Sequence, residues 1–418
     1  MSGLSAALAP LVRGRRWFAS KSRELAGGRI VDSGALSSGC TLALFEAAFA
    51  DGGSELYQLP YRVDAGGAPV LELADPVLAG ALLAALRDSA RVVTGSGELV
   101  FEADAPLPPI AELGAVRPIG GEQSNSTVVF GERLALKAYR RLEEGESAEL
   151  EMLRFLAAHG FEHAPRLLGS YRYAGAPVTA TLGILQEFVP DGRDGWADAL
   201  ASLADPGPFL PRLHRLGQVT ARMHAVLASG DSPAFRPEPL GTPREAATRR
   251  LLSDLPAPLA GRRDELRERL GDLQRAGAGG KAIRQHGDYH LGQVLWARGD
   301  WVVLDFEGEP ARPLAERRRK DSPLRDVAGI LRSFAYAAET GGERSAPDWE
   351  RTARDAFLTG YEELIDQSLL PRRGPAREAL LAACELEKAL YELRYELDNR
   401  PAWAHVPLAG IERLLDAR

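Results

Sequence analysis

An α+β protein is predicted, with a mixed sheet in its amino-terminal part and a mainly helical carboxy-terminal part. Two observations predict it. Up to about residue 190, β-rich apolar runs alternate with Gly, Ser and Asp turns, as in CTLALFEAAFADGGSELYQLPYRV (40–63). Beyond about residue 196, apolar residues recur at helical spacing over long stretches. At 418 residues the chain exceeds what one compact core usually serves, so several folded portions are expected. They are assigned to 1–110, 111–190 and 191–418.

Taken in order, residues 1 to about 105 read as small strands with turns, and ADPVLAGALLAALRDSA (74–90) as a helix opened by Asp-Pro. The proline-rich APLPPIAELGA (105–115) reads as a linker. Strand, glycine turn, strand and helix follow in VRPIGGEQSNSTVVF, ERLALKAYRR and SAELEMLRFLAAHG, then further strands through APVTATLGILQEFVP (176–190). Helices are expected in LPRLHRLGQVTARMHAVLA, RRDELRERLGDLQRA, LRDVAGILRSFAYAAE and EALLAACELEKALYELRYELDNR. A hairpin, VLWARGDWVVLDF, interrupts them.

Composition narrows the function. The formal charge of −7 argues against nucleic acid as the main partner. Two distant cysteines, Cys40 and Cys384, suggest neither a disulfide framework nor a zinc site, which fits a reducing compartment. The first apolar stretch precedes its arginines, the reverse of a secretory signal, and no run reaches the ~18 apolar residues that span a membrane. A cytoplasmic protein, monomeric and acting on a small molecule, is expected.

The chemistry concentrates in QHGDYHLGQVLWARGDWVVLDFEGEP (285–310). Phosphoryl transfer needs a carboxylate beside the acceptor hydroxyl and an oxygen set holding Mg²⁺ on the nucleotide phosphates. Asp288 supplies the first; Gln293 and Asp305 supply the second. Asp288 and Gln293 stand at the interval of Asp and Asn in the kinase loop HRDxxxxN, and Asp305 opens DFE where kinases have DFG. With Arg298 and Gly299 as the turn, antiparallel pairing sets Ala297 opposite Asp300, Gln293 opposite Leu304 and Gly292 opposite Asp305. Zinc hydrolysis through His286 and His290 is disfavoured, because no HExxH glutamate accompanies them.

Upstream, Lys137 on an alternating strand suits the nucleotide phosphates. Glu149 and Glu151 are the candidate partners on the next helix, with Glu151 preferred beside Met152 and Phe155. The polar turn GGEQSNSTVVF, with Ser124, Asn125 and Ser126, can offer N–H groups to phosphate. It is not a GxxxxGK[ST] loop. Backbone groups of Gln186, Glu187 and Phe188, in LQEFVPDG, are placed to meet an adenine edge. On the last long helix Glu385, Lys388, Glu392, Tyr395 and Glu396 recur at three- and four-residue steps, with Trp403 beyond. Together with His290 they are the expected sugar contacts.

HGDYHLGQ, DFEGEPARPLAERRRKDSPLRDVAG and YELRYELDNRPAW, with RRWFASKSREL near the start, resemble the actinobacterial maltokinases, a branch of the aminoglycoside-phosphotransferase and eukaryotic-kinase-like superfamily. The resemblance covers nearly the whole chain and implies a bilobal kinase-like fold with an amino-terminal cap over 1–110. It implies ATP and Mg²⁺ as cofactors and maltose as acceptor, giving maltose 1-phosphate. By position Asp288 resembles the catalytic base, Gln293 and Asp305 the magnesium ligands, Lys137 the phosphate lysine, and Asp326 a buried aspartate bracing the catalytic loop. The similar glucosamine kinases, which phosphorylate the 6-hydroxyl of an amino sugar, are the alternative, and an acidic last helix suits an ammonium sugar.

Overall fold

A computed structural model describes residues 2–18, 20–21, 23–119, 125–240, 252–253, 255–310 and 312–416. It divides into two compact units, Met1–Ala157 with Pro165–Pro190, and Ala158–Ala164 with Asp191–Arg418.

The first unit opens with helix α1 (Ser2–Arg13), followed by strands β1 (Leu25–Ala35), β2 (Cys40–Phe49), β3 (Ser54–Val63) and β4 (Pro69–Val70), which form an antiparallel sheet in chain order. Side chains alternate across a strand, and β2 is apolar at both parities. It therefore buries both faces: Leu42 and Leu44 join the larger core, while Ala43, Phe45, Ala47 and Phe49 pack with Leu8, Val12, Trp17 and Phe18. Each of these larger side chains contributes about 1.5–3 kcal/mol on full burial.

Helix α2 (Pro76–Arg87) starts where Asp-Pro predicts. The Asp75 carboxylate accepts from the N–H groups of Val77 (3.1 Å) and Leu78 (3.0 Å), while Pro76 occupies the position that needs no N–H. Seven strands then build a second sheet: β5 (Arg91–Val93), β6 (Gly97–Ala103), β7 (Val116–Pro118), β8 (Ser126–Phe130), β9 (Leu134–Ala138), β10 (Leu167–Gly175) and β11 (Ala180–Glu187). Their order is β5-β6-β10-β11-β9-β8-β7. The sheet expected to be mixed is antiparallel at each of these strand pairings, and its parallel element is a bridge from Gly145 to Ala180. Strands β5 and β6 come from within 1–110, so that stretch supplies both sheets. Helix α3 (Ala148–Ala158) follows β9.

In the second unit β12 (Arg193–Asp194), β15 (Val294–Ala297) and β16 (Asp300–Val303) pair, while β13 (Glu238–Pro239) pairs with β14 (Lys281–Ala282). Around them lie helices α4 (Gly195–Ala201), α5 (Leu210–Leu227), α6 (Arg263–Ala276), α7 (Leu314–Arg317), α8 (Leu324–Gly341), α9 (Trp349–Leu364), α10 (Pro375–Asn399) and α11 (His405–Asp416). Leu266, Leu270 and Leu273 of α6 meet Leu386, Leu390 and Leu393 of α10 and Ile411 of α11 in one apolar cluster. No helix among the described residues is long and apolar enough to cross a membrane.

Candidate active site

The loop ahead of β15 is shaped by its own backbone. Asp326, buried near the start of α8, accepts from the N–H groups of His286 (2.9 Å) and Gly287 (2.9 Å), and His224 Nε2 lies 3.1 Å from the same carboxylate. Burial alone would raise its pKa. The His224 hydrogen bond and charge, with His286 and the Gly287 N–H, instead hold it below the usual carboxylate range. Gly287 has φ +86°, a conformation open to glycine, and that bend delivers Asp288 to the next position. Beneath the loop a Cβ at Gly329 would stand 2.4 Å from the Tyr289 carbonyl oxygen, so α8 lies against the loop only because position 329 has no side chain.

His286 Nε2 lies 2.8 Å from the Leu304 carbonyl, and its Nδ1 accepts from the Asp288 N–H at 3.4 Å. One imidazole thus ties the loop to the strand that returns with Asp305. The hairpin has the expected register: Ala297 pairs with Asp300, Val294 with Val303, and the Leu304 N–H donates to the Gln293 carbonyl at 2.8 Å. Arg298 (φ 54°) and Gly299 (φ 83°) form its turn. Gln293 and Asp305 consequently meet, Nε2 to Oδ2 at 3.1 Å. Asp305 sits at φ 61°, a strained conformation for an L-residue of the kind that concentrates at functional sites. Turning the Gln293 amide over would set Oε1 beside that carboxylate, and two such oxygens are the hard donors that Mg²⁺ takes.

Asp288 Oδ1 receives the Lys388 ammonium at 3.1 Å, and His290 Nε2 lies 4.0 Å from Oδ2. His290 Nδ1 caps Gly292 N–H at 3.1 Å, which fixes the ring. Burial, with the Lys388 and His286 charges, pushes its pKa down. Lys388 also donates to Glu309 Oε1 at 2.9 Å. Burial would lower the Lys388 pKa, but Glu309, Asp288 and Glu392 together raise it.

The expected sugar carboxylates of α10 are bonded to guanidinium groups. Glu385 takes Arg354 (2.6 Å), Glu392 takes Arg332 (2.9 Å), and Glu396 takes Arg400 (2.7 Å) and the Tyr336 hydroxyl (3.2 Å). Trp403 stacks on Tyr336 with centroids 6.3 Å apart. Tyr395 points outward, 47% exposed, beneath the Arg400 guanidinium. Arg400 stands four residues from Glu396, but Arg354, Arg332 and Tyr336 are remote in the chain, and helical spacing carries no signal of them.

In the first unit the Lys137 ammonium bonds Glu149 at 2.8 Å, and the Tyr139 hydroxyl donates to the same oxygen at 2.9 Å. Glu149, not the preferred Glu151, is therefore the partner of Lys137. The helix explains the correction: Glu149 shares its buried face with Met152, Leu153 and Leu156, three, four and seven residues on, whereas Glu151 lies about 200° round from it. Adjacency to Met152 misled, since neighbours in sequence point about 100° apart. A second correction, limited to two N–H groups, concerns the strand end at 186–188. The N–H groups of Glu187 and Phe188 already donate to the carbonyls of Arg166 (2.9 Å) and Arg133 (2.9 Å), because β11 keeps pairing to its last residue. They are not open to an adenine edge. Ser126 Oγ accepts from Arg140 Nε at 2.8 Å; Asn125 precedes it, and Ser124 lies outside the described residues.

The chain belongs to the phosphotransferase enzyme family, whose pattern matches residues 115–364, from β7 through α9. It is a transferase of that class. Among relatives it is 32% identical over 327 residues to the glucosamine kinase of Mycolicibacterium smegmatis, covering 72% of this chain and 79% of that protein. It is 29% identical over 362 residues to the glucosamine kinase of Streptacidiphilus jiangxiensis, covering 81% of each. The fold matches a solved glucosamine kinase in complex with glucosamine, ADP and inorganic phosphate, with TM-score 0.71, 24% identity and 99% of each chain covered.

Proposed function

We propose that this protein transfers the γ-phosphoryl group of ATP to the 6-hydroxyl of glucosamine. The observation that carries the phosphoryl-transfer reading is the hairpin that brings Gln293 to 3.1 Å from Asp305, just downstream of the Asp288 loop held by Asp326. The amino-sugar acceptor is supported by the relatives, which are glucosamine kinases.

ATP and Mg²⁺, when bound, supply the phosphoryl group and neutralise its oxygens. Gln293 and Asp305 would hold the metal, and Lys137, kept extended by Glu149, suits a nucleotide phosphate. Asp288 takes the acceptor proton on Oδ2 as the sugar oxygen bonds to the γ-phosphorus and the bond from that phosphorus to the β–γ bridging oxygen breaks, releasing ADP. His290 stands beside Oδ2 as a sugar contact. The division into a cap (1–110), a nucleotide portion (111–190) and a helical sugar-binding portion (191–418), and cytoplasmic action as a monomer, belong to the same reading.

Maltose, the first expectation from the sequence, is the second reading, favoured by the 305–329 block. A panel of glucosamine, maltose, glucose and aminoglycosides assayed for ADP release tests both, with the product's phosphate position assigned by NMR. Glucosamine as the best acceptor by kcat/KM is the expected result. Maltose outperforming it overturns the first reading.

A further inference from the structure

Glu309 is nearly inaccessible, 4% exposed, and none of the steps above uses it. Its Oε1 accepts from Lys388 at 2.9 Å and its Oε2 is bonded by Arg312. Burial alone would raise the Glu309 pKa; Lys388, Arg312 and Arg325 instead hold it down to about 2. Charges therefore alternate along Arg312, Glu309, Lys388 and Asp288. Three of the four come from the loop and the segment after the hairpin, and Lys388 alone comes from α10. The Tyr391 ring flanks the chain, its centroid 5.0 Å from Lys388 Nζ and 6.0 Å from the Arg312 guanidinium carbon.

A lysine that binds substrate would keep its ammonium for the substrate. Lys388 gives two of its three N–H donors to carboxylates and its side chain is 16% exposed. An aspartate held at neither oxygen exchanges them by turning about its terminal torsion, whose profile is broad and two-fold. The ammonium on Oδ1 removes that freedom and leaves Oδ2, 4.0 Å from His290 Nε2, as the oxygen off the lysine.

We infer that Lys388, anchored by Glu309, is a positioning residue for the reaction: it locks the Asp288 carboxylate with Oδ2 toward the acceptor hydroxyl. The inference rests on the reading of Asp288 as the base. It makes Lys388 act through Asp288, whereas the sequence placed it among the sugar contacts.

The test is steady-state kinetics on the full chain with ATP, Mg²⁺ and the best acceptor from the panel, for Lys388→Met, Lys388→Arg and the charge-balanced double variant Glu309→Gln/Lys388→Met. Thermal denaturation confirms that each is folded. The double variant serves if the single one, which leaves Glu309 buried without its ammonium, does not fold. Misplacing a reacting group by about an ångström costs on the order of 10²-fold. Lys388→Met and the double variant are therefore expected to lower kcat by about 10- to 100-fold while both KM values stay within about threefold, and Lys388→Arg to recover most of kcat. A raised sugar KM at unchanged kcat would make Lys388 a sugar ligand and overturn the inference, as would unchanged kinetics. Asp288→Asn in parallel separates the two failures. If it stays active, the reading of the base is wrong; if it is dead while Lys388→Met is normal, only the positioning role is.

Discussion

The loop at 286–293 presents one acidic side chain, Asp288, and helix α10 presents several, and the two hold them by opposite means. In the loop, backbone N–H groups and one imidazole fix the chain, so Asp288 arrives with one oxygen on an ammonium and the other 4.0 Å from His290 Nε2. On α10 the carboxylates are consumed: Glu385, Glu387, Glu392 and Glu396 each hold an arginine, three of them from α8 or α9. The loop spends structure to offer a charge, and the helix spends charge to make structure. Lys388 is where they meet, a helix residue whose charge serves the loop.

The contrast is sharpest at Arg332 and Glu392, a pair 1% and 14% exposed in its side chains. Removing one partner of a buried pair leaves an uncompensated charge, at a cost of roughly 3–5 kcal/mol. Arg332→Met should lower the denaturant midpoint accordingly with sugar KM within about twofold, since uniform binding is not touched. A tenfold rise in sugar KM in the folded variant would return Glu392 to the sugar and dissolve the contrast.

At the meeting point, acid tests the ion chain. Glu309 has a folded pKa of about 2 against an ordinary 4.5, so its contribution is present above pH 4.5 and is lost as pH falls toward 2. The loss is on the order of 3 kcal/mol. Unfolding free energy measured from pH 5 to pH 3 should fall less steeply in Glu309→Gln than in the parent chain. Parallel slopes would detach Glu309 from the chain of charges.

On the loop side, Asp288→Asn keeps the shape and removes the proposed base, and should lower kcat by at least ~10² with nucleotide affinity unchanged within a few-fold. Normal turnover in that variant would end the argument from the loop. In the first unit the equivalent contrast lies within one helix. Glu149→Gln should raise the KM for ATP by roughly tenfold through loss of the Lys137 pair, while Glu151→Gln should stay within about twofold. Equal effects of the two would remove the basis for preferring Glu149.

What could be read in advance follows the same divide. The hairpin was legible because two residues of turn fix a register, and that register returns Gln293 and Asp305 to neighbouring positions, where their side chains meet. Helix α2 was legible because Asp75 and Pro76 cap it locally. Helical spacing put Glu385, Glu392 and Glu396 on a common side but could not name Arg354 and Arg332, which arrive from other helices. Glu149 was within reach: counting three, four and seven residues forward to Met152, Leu153 and Leu156 singles it out, where simple adjacency to Met152 does not. The N–H groups of Glu187 and Phe188 were not, because their acceptors belong to segments far away in the chain.

The smallest expected effect probes the helix surface itself. Tyr395 shares the periodicity that grouped the α10 side chains as sugar contacts, yet it is 47% exposed, and its ring face carries Arg400, whose guanidinium also bonds Glu396. A sugar platform needs an open aromatic face, and one face of this ring lies beneath a cation, 5.7 Å from its centroid. Trp403, by contrast, is stacked on Tyr336, and Tyr336 donates to Glu396, so that end of the helix is held by aromatic packing and ion pairing together. Tyr395→Ala should therefore change sugar KM and kcat by less than about twofold and stability by no more than about 0.5 kcal/mol, as an exposed substitution outside any buried network does. If glucosamine KM rises severalfold in that variant while ATP KM holds, the outer side of α10 reaches the acceptor, and the line drawn between a loop that offers charge and a helix that spends it has to move.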